Sequence, residues 1–179
     1  MRFSASWALR CMRWSYFSYF MPAKLDRKLM EKGRRAEEVV EKKLSHLGLR
    51  RARNRELYFR NYTLVGRPDF VTRDFVVEVK SSVAQQYLLP NLAQLNLYML
   101  MEGKKLGLLV FAGNGMDKMK IIYTSFSRSI IRQTIAYFDA LWGYIREGVI
   151  PEIVFEVAQP VCRSCSFARL CGVKGYKRF

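Results

Sequence analysis

Residues 66–80 read GRPDFVTRDFVVEVK. β-Branched and aromatic residues on both sides of Arg73-Asp74 predict two strands joined by a two-residue turn. That turn pairs Thr72 with Phe75, Val71 with Val76, Phe70 with Val77 and Asp69 with Glu78. Alternation with period two then puts Phe75, Val77 and Val79 on one face of the second strand, and Val76, Glu78 and Lys80 on the other. Asp69, Glu78 and Lys80 therefore share a face. Directly opposed carboxylates have β-carbons about 5 Å apart and repel unless a cation or a proton sits between them. A merely solvated hairpin face gives no reason for acids to oppose each other.

Upstream, two further strands are expected over Glu56 to Tyr62 and Leu64 to Val71, and the second hairpin strand runs from Phe75 to Ser81. Arg50, Arg51, Arg53 and Arg55 precede them as a basic connector, read as a solvated loop suited to phosphate contacts. A helical pattern opens at Pro22 and runs to about Leu47, with Gly48 as its stop. Leu25, Leu29, Gly33, Ala36, Val40, Leu44 and Leu47 form its apolar stripe. Glu37 lies on the stripe's edge, where an inward carboxylate is costly without a partner and an outward one is an ordinary surface residue.

Downstream, Pro90 introduces a helix to about Met101, ended by Gly103, on which Gln94 and Tyr98 stand one turn apart. Leu106 to Ala112 and Lys118 to Thr124 read as a strand pair around Gly113-Asn114-Gly115. Ser127 caps a helix to Arg146 with Ile131, Ile135, Phe138 and Trp142 on its apolar side, and Gly148 and Pro151 follow its end. The order is helix, three strands, helix, two strands, helix and a cysteine-rich end, an α/β class.

The 179 residues, half of them hydrophobic types at 50%, suit one core and exclude a disordered tail or a fibre. Lys and Arg number 31 against 15 Asp and Glu, a formal charge of +16, which points to a polyanionic partner. Charge alone leaves DNA, RNA and an anionic membrane open. The longest uncharged run, Ser81 to Met101, is interrupted by Gln85, Gln86, Pro90, Asn91, Gln94 and Asn96, so a spanning helix is not expected. Arg10 and Arg13 break the aromatic N-terminal segment, so no secretory signal is read, and the expectation is a soluble, cytoplasmic protein.

Cysteines stand at 11, 162, 165 and 171, the last three in CRSCSFARLC. In a reducing compartment such spacing suggests a metal or iron–sulfur site before disulfides. A zinc tetrathiolate and an iron–sulfur cluster suit these ligands equally. With Cys11 as the fourth ligand, the site would close a loop spanning nearly the whole chain.

GRPDF at 66–70, EVK at 78–80, Gln94…Tyr98 and the preceding Gly33…Glu37 helix together resemble the RecB-like branch of the PD-(D/E)XK nuclease superfamily. The cysteine frame makes the chain similar to the CRISPR-associated Cas-four proteins, small iron–sulfur nucleases. The resemblance implies a restriction-endonuclease-like core, a central mixed sheet flanked by helices, over residues 22–150. Residues 1–21 with Cys11 would close a C-terminal cysteine cap over 151–179. It implies an exonuclease on single-stranded DNA ends that prepares prespacers for the CRISPR integrase proteins. Asp69, Glu78, the Val79 carbonyl and Glu37 would hold Mg²⁺ or Mn²⁺, Lys80 would serve the attacking water, and Gln94 and Tyr98 would position the strand. Cys11, Cys162, Cys165 and Cys171 would hold a 4Fe–4S or 2Fe–2S cluster. One departure is that Glu37 stands where this branch usually carries a His, as in resolvase-like members; His46, the one histidine, reads as a surface or capping residue. Two alternatives stay open: a recombination, repair or mobile-element nuclease, and a non-catalytic iron–sulfur DNA-binding subunit.

Overall fold

A computed structural model describes residues 1–21, 26–82, 85–113, 119–153, 162 and 165–172. Among them the order is β1 (Arg2–Ser4), α1 (Met12–Phe20), α2 (Arg27–Lys43), β2 (Arg50–Arg51), β3 (Arg55–Tyr58), β4 (Thr63–Gly66), β5 (Phe70–Val71) and β6 (Phe75–Lys80). Then follow α3 (Leu88–Glu102), β7 (Leu106–Ala112), β8 (Met119–Ser125) and α4 (Arg128–Glu147). The main sheet has the order β2-β5-β6-β7-β8, with β6 and β7 parallel and the other pairs antiparallel. A smaller sheet has the order β1-β4-β3, with β1 parallel to β4.

Each face of the main sheet buries its own core. Val77 and Val79 of β6, with Leu108 and Val110 of β7, pack against Ala36, Val40 and Leu44 on the α2 side. Val76, Leu109 and Phe111 point the other way, into a larger core with α3, α4, α1 and the small sheet. The expected facial split of β6 is thus observed, and it sends Glu78 and Lys80 toward α3.

Helix α2 is shorter than its apolar pattern. Asp26 caps it, its Oδ1 accepting from the Lys28 N–H at 2.8 Å, and Lys42 and Lys43 complement the dipole at its end. The chain then leaves through a 3₁₀ turn, Ser45–Leu47, into Gly48 at φ 66°, which only glycine adopts without strain. Pro22 and Leu25 lie outside the described residues. Leu29 is 67% exposed and Leu47 is 37% exposed, so the stripe works only through Ala36, Val40 and Leu44. His46 is exposed, as a surface residue should be.

Two strand expectations are corrected. The run Leu64–Val71 is two strands in two sheets, broken at Arg67-Pro68-Asp69, because Pro68 has no N–H to donate and a fixed φ. The run Glu56–Tyr62 ends at Tyr58, since Arg60 and Asn61 turn the chain and the Phe59 N–H reaches the Tyr62 carbonyl at 2.9 Å. The basic connector is a loop only around Arg53: Arg50 and Arg51 form β2 against Val71 and Phe70, and Arg55 opens β3. The remaining helices follow their patterns closely. Pro90 falls in the first turn of α3, and Ser127 Oγ accepts from the Ile130 N–H at 3.3 Å to cap α4. Lys118 and the Asn114-Gly115 turn lie outside the described residues.

The N-terminal segment is part of the core. Phe3 is fully buried, stacked on Phe138 at 5.9 Å and tilted against Tyr62 at 5.3 Å. No helix among the described residues is long and apolar enough to cross a membrane.

Gly66 opens the quoted stretch for a packing reason. A β-carbon there would stand 2.5 Å from Tyr98 Cε1 and 2.9 Å from the Ala5 β-carbon. Gly66→Ala is expected to destabilise the protein by about 1–3 kcal/mol through overpacking. Denaturant titration checks this; a stability equal to wild type would show that Tyr98 is not held against the backbone.

Candidate active site

The β5–β6 ladder closes with Phe70 opposite Val77. The expected next pair, Asp69 with Glu78, is not a ladder pair, because the Pro68 turn lifts the chain out of register. Instead Asp69 Oδ2 accepts the Val79 N–H at 2.7 Å, which anchors its carboxylate beside Glu78 by a side-chain bond.

Glu78 is buried at 3% exposure and its two oxygens differ. Oε1 accepts from Lys80 Nζ at 2.7 Å and from Gln94 Nε2 at 2.9 Å. Gln94 Oε1 in turn accepts from Lys80 at 2.9 Å, and Gln94 Nε2 also donates to the Tyr98 hydroxyl at 3.0 Å. Each Gln94 amide atom is thus committed, and the Gln94–Tyr98 pair on α3 ties Lys80 and Glu78 together. Glu78 Oε2 is buried with no hydrogen-bond partner among the described residues. A buried, unpartnered carboxylate oxygen is expensive, and a bound cation is one way to satisfy it.

The electrostatics agree. Burial, and next the charge of Glu78, push the Asp69 carboxyl up to about 8. Burial raises Glu78 as well, opposed by the Lys80 ammonium. The Tyr98 phenol is raised by burial and by Glu78. Because Asp69 moves up from 3.8 to about 8, the metal-free native state holds a proton there that the unfolded chain releases in that window. Its contribution to stability is therefore full below about pH 4 and is lost as the pH rises through 8. Chelator-treated wild type is expected to lose melting temperature over that range relative to Asp69→Asn; parallel curves would show that Asp69 is not buried against a like charge.

Glu37 does not join a preformed carboxylate triad. Arg51 Nη1 donates to Glu37 Oε2 and Nη2 to Glu41 Oε2, both at 2.7 Å, while the guanidinium covers the Phe70 ring at 4.9 Å. Glu37 still contributes repulsion to both Asp69 and Glu78. Among the described residues, no three His, Cys, Asp or Glu side chains are gathered closely enough for one metal ion. Two carboxylates and an orphaned oxygen fit a divalent ion whose remaining ligands are water or substrate oxygens.

Of the four arginines in the basic segment, Arg51 is engaged as described and Arg55 forks onto Glu102 at 2.7 and 3.0 Å. Arg50 and Arg53 are exposed, and among the described residues neither forms an ion pair.

The four cysteines are free thiols, Cys11 exposed at the N-cap of α1 and the other three partly buried. Burial raises Cys162, Cys165 and Cys171, and each is raised further by Cys11, while the rings of Phe17 and Phe167 stand 5.6 Å apart, so α1 packs against the segment that carries Cys165 and Cys171. Cys165 Sγ accepts the Phe167 N–H at 3.4 Å, and Arg13 acts on Cys171 against the upward shift. Arg10 and Arg13 count in the sequence only as interruptions of an apolar segment. Their positions either side of Cys11-Met12 are the one signal of what they touch.

The sequence matches no family model and no curated protein. Solved structures share its fold. SSO0001 superposes with a TM-score of 0.63 at 18% identity, covering 97% of this chain and 87% of that one. A phage-related exonuclease from Haemophilus somnus gives 0.60 at 13% identity, over 76% and 79% of the two chains. The alkaline exonuclease LHK-Exo from Laribacter hongkongensis gives 0.57 at 11% identity, over 82% and 90%. The fold is therefore a mixed α/β nuclease-like fold, as the hairpin and helix order imply.

Proposed function

We propose that the protein is a metal-dependent DNA nuclease whose site is built on Asp69, Glu78 and Lys80. The observation that carries this is the buried Glu78 Oε2, without a donor among the described residues while Oε1 is held by Lys80 and Gln94. Asp69, Glu78 and the Val79 carbonyl would hold Mg²⁺ or Mn²⁺, with Glu37 able to join once Arg51 releases it. A bound divalent ion would neutralise phosphoryl oxygens and acidify the attacking water. Lys80 would orient that water and offset developing charge, its ammonium aimed by Gln94 Oε1. Gln94 and Tyr98 serve as positioning residues. Arg50 and Arg53 would track phosphates; Arg51 and Arg55 contribute only if they leave their carboxylates.

The exonuclease names among the fold relatives support hydrolysis from DNA ends. The cysteine frame supports an iron–sulfur cap on Cys11, Cys162, Cys165 and Cys171, and with it single-strand end trimming for CRISPR prespacers, with the integrase proteins as partners. A second reading, a phage or repair exonuclease, is favoured by Glu37 and by the phage-related and alkaline exonuclease folds. The deciding assay incubates 5′- and 3′-labelled single strands and duplexes with Mn²⁺, Mg²⁺ or chelator. Binding without cleavage in either metal would leave only the non-catalytic DNA-binding alternative.

A further inference from the structure

Arg10 is a partly buried arginine whose guanidinium makes no hydrogen bond and no ion pair among the described residues. Its Nε is buried and unpartnered. The group is held between two aromatic rings, with Cζ 5.1 Å from the Trp14 centroid and 5.7 Å from that of Tyr87. Burial lowers its pKa, and the opposing charges are Tyr87, Tyr137 and Glu78. Tyr87 is the N-cap residue of α3, so the guanidinium lies at the N-terminal end of the helix that carries Gln94 and Tyr98.

The backbone just before it is unusual. Leu9 has φ 51°, the left-handed region, the only non-glycine residue so placed among those described. That conformation costs a leucine about 1–2 kcal/mol, and such strain persists where the surroundings fix the following side chain. The turn Ala5–Trp7 that leads into it packs on α3, the helix carrying Gln94 and Tyr98.

We propose that Arg10 is a phosphate receptor for this site, its fork, unpaired among the described residues, binding the non-bridging oxygens of a DNA backbone phosphodiester beside Tyr87 at the N-terminal end of the helix that carries Gln94. This rests on the nuclease reading. The chemistry is specific: a guanidinium fork matches two phosphate oxygens, and an unsatisfied buried cation gains most from a dianionic or monoanionic oxygen pair. The aromatic pair fixes the fork without consuming its donors.

The test compares wild type, Arg10→Lys and Arg10→Met. In chelator, affinity for a short fluorescent single strand should fall roughly 10- to 100-fold in Arg10→Met, while a strand with neutral methylphosphonate linkages binds both proteins alike. In Mn²⁺, cleavage should fall by about 100-fold and recover in part on addition of guanidinium. Arg10→Lys keeps charge and bulk and should retain the fold, with cleavage between the two. Equal loss of both strands with a lowered melting temperature, or wild-type binding and cleavage in Arg10→Met, overturns the proposal. A loss confined to strands bearing a 5′-phosphate overturns the diester assignment. Should wild type cleave nothing, the nuclease reading fails, and the two-strand binding comparison still decides Arg10.

Discussion

Glu78→Gln is expected to abolish cleavage while leaving the metal-free protein as stable as wild type or more so. The carboxylate is buried, its ionisation is opposed by burial and by Glu37, and one oxygen has no partner among the described residues. A neutral amide of the same shape keeps an acceptor for Lys80 and removes the repulsion with Asp69. Catalysis has no such tolerance, because an amide is a poor ligand for a hard divalent ion. Losing that ion's charge at the phosphoryl group should slow the reaction on the order of 10³-fold, about 4 kcal/mol in barrier. Asp69→Asn should behave similarly. The measurements are single-turnover cleavage in saturating Mn²⁺ beside thermal melts in chelator. Retained cleavage in both variants would remove the assigned site; lost cleavage with a collapsed melting temperature would recast Glu78 as structural.

The second large effect concerns the chain ends. Burial raises three thiols and Cys11 raises each of them further, so in the proposed cap a shared cation would offset the repulsion among four thiolates. Cys11→Ser is expected to remove bound iron and to destabilise the protein by roughly 2–5 kcal/mol, the scale for opening a very long closed loop. Anaerobic preparation, iron and zinc analysis and the visible spectrum read the first part, and denaturant titration the second. Full metal content in Cys11→Ser would show that the N-terminal segment is held by Phe3 and its aromatic neighbours alone. Zinc in a colourless wild type would replace the cluster with a tetrathiolate site.

The residues 66–80 carried most of what was legible. A two-residue turn between alternating runs fixes register locally, so Phe70 opposite Val77 and the split between Val77 and Glu78 needed no long-range knowledge. Gln94 and Tyr98 on one helix face were equally local. Their role was not: that Gln94 reaches both Glu78 and Lys80 follows from the crossover that lays α3 over the parallel β6–β7 pair. The strand that ran through Pro68 in the pattern was misread because hydrophobicity outweighed one missing donor. Arg51 was read as a phosphate contact because no sequence spacing says that Glu37 and Glu41 would face it from α2.

By itself, then, the sequence determined the α/β class, the hairpin register and the acidic face with Lys80. These depend on period, turn chemistry and residue type, which are properties of neighbours along the chain. Tertiary structure alone decided which oxygen of Glu78 is left without a partner among the described residues, that Asp69 is anchored on the Val79 N–H, that Glu37 is withheld by Arg51, and that Arg10 is held between Trp14 and Tyr87. These features depend on how turns and helices seat on the two faces of the sheet, and no local pattern of residue types encodes that seating.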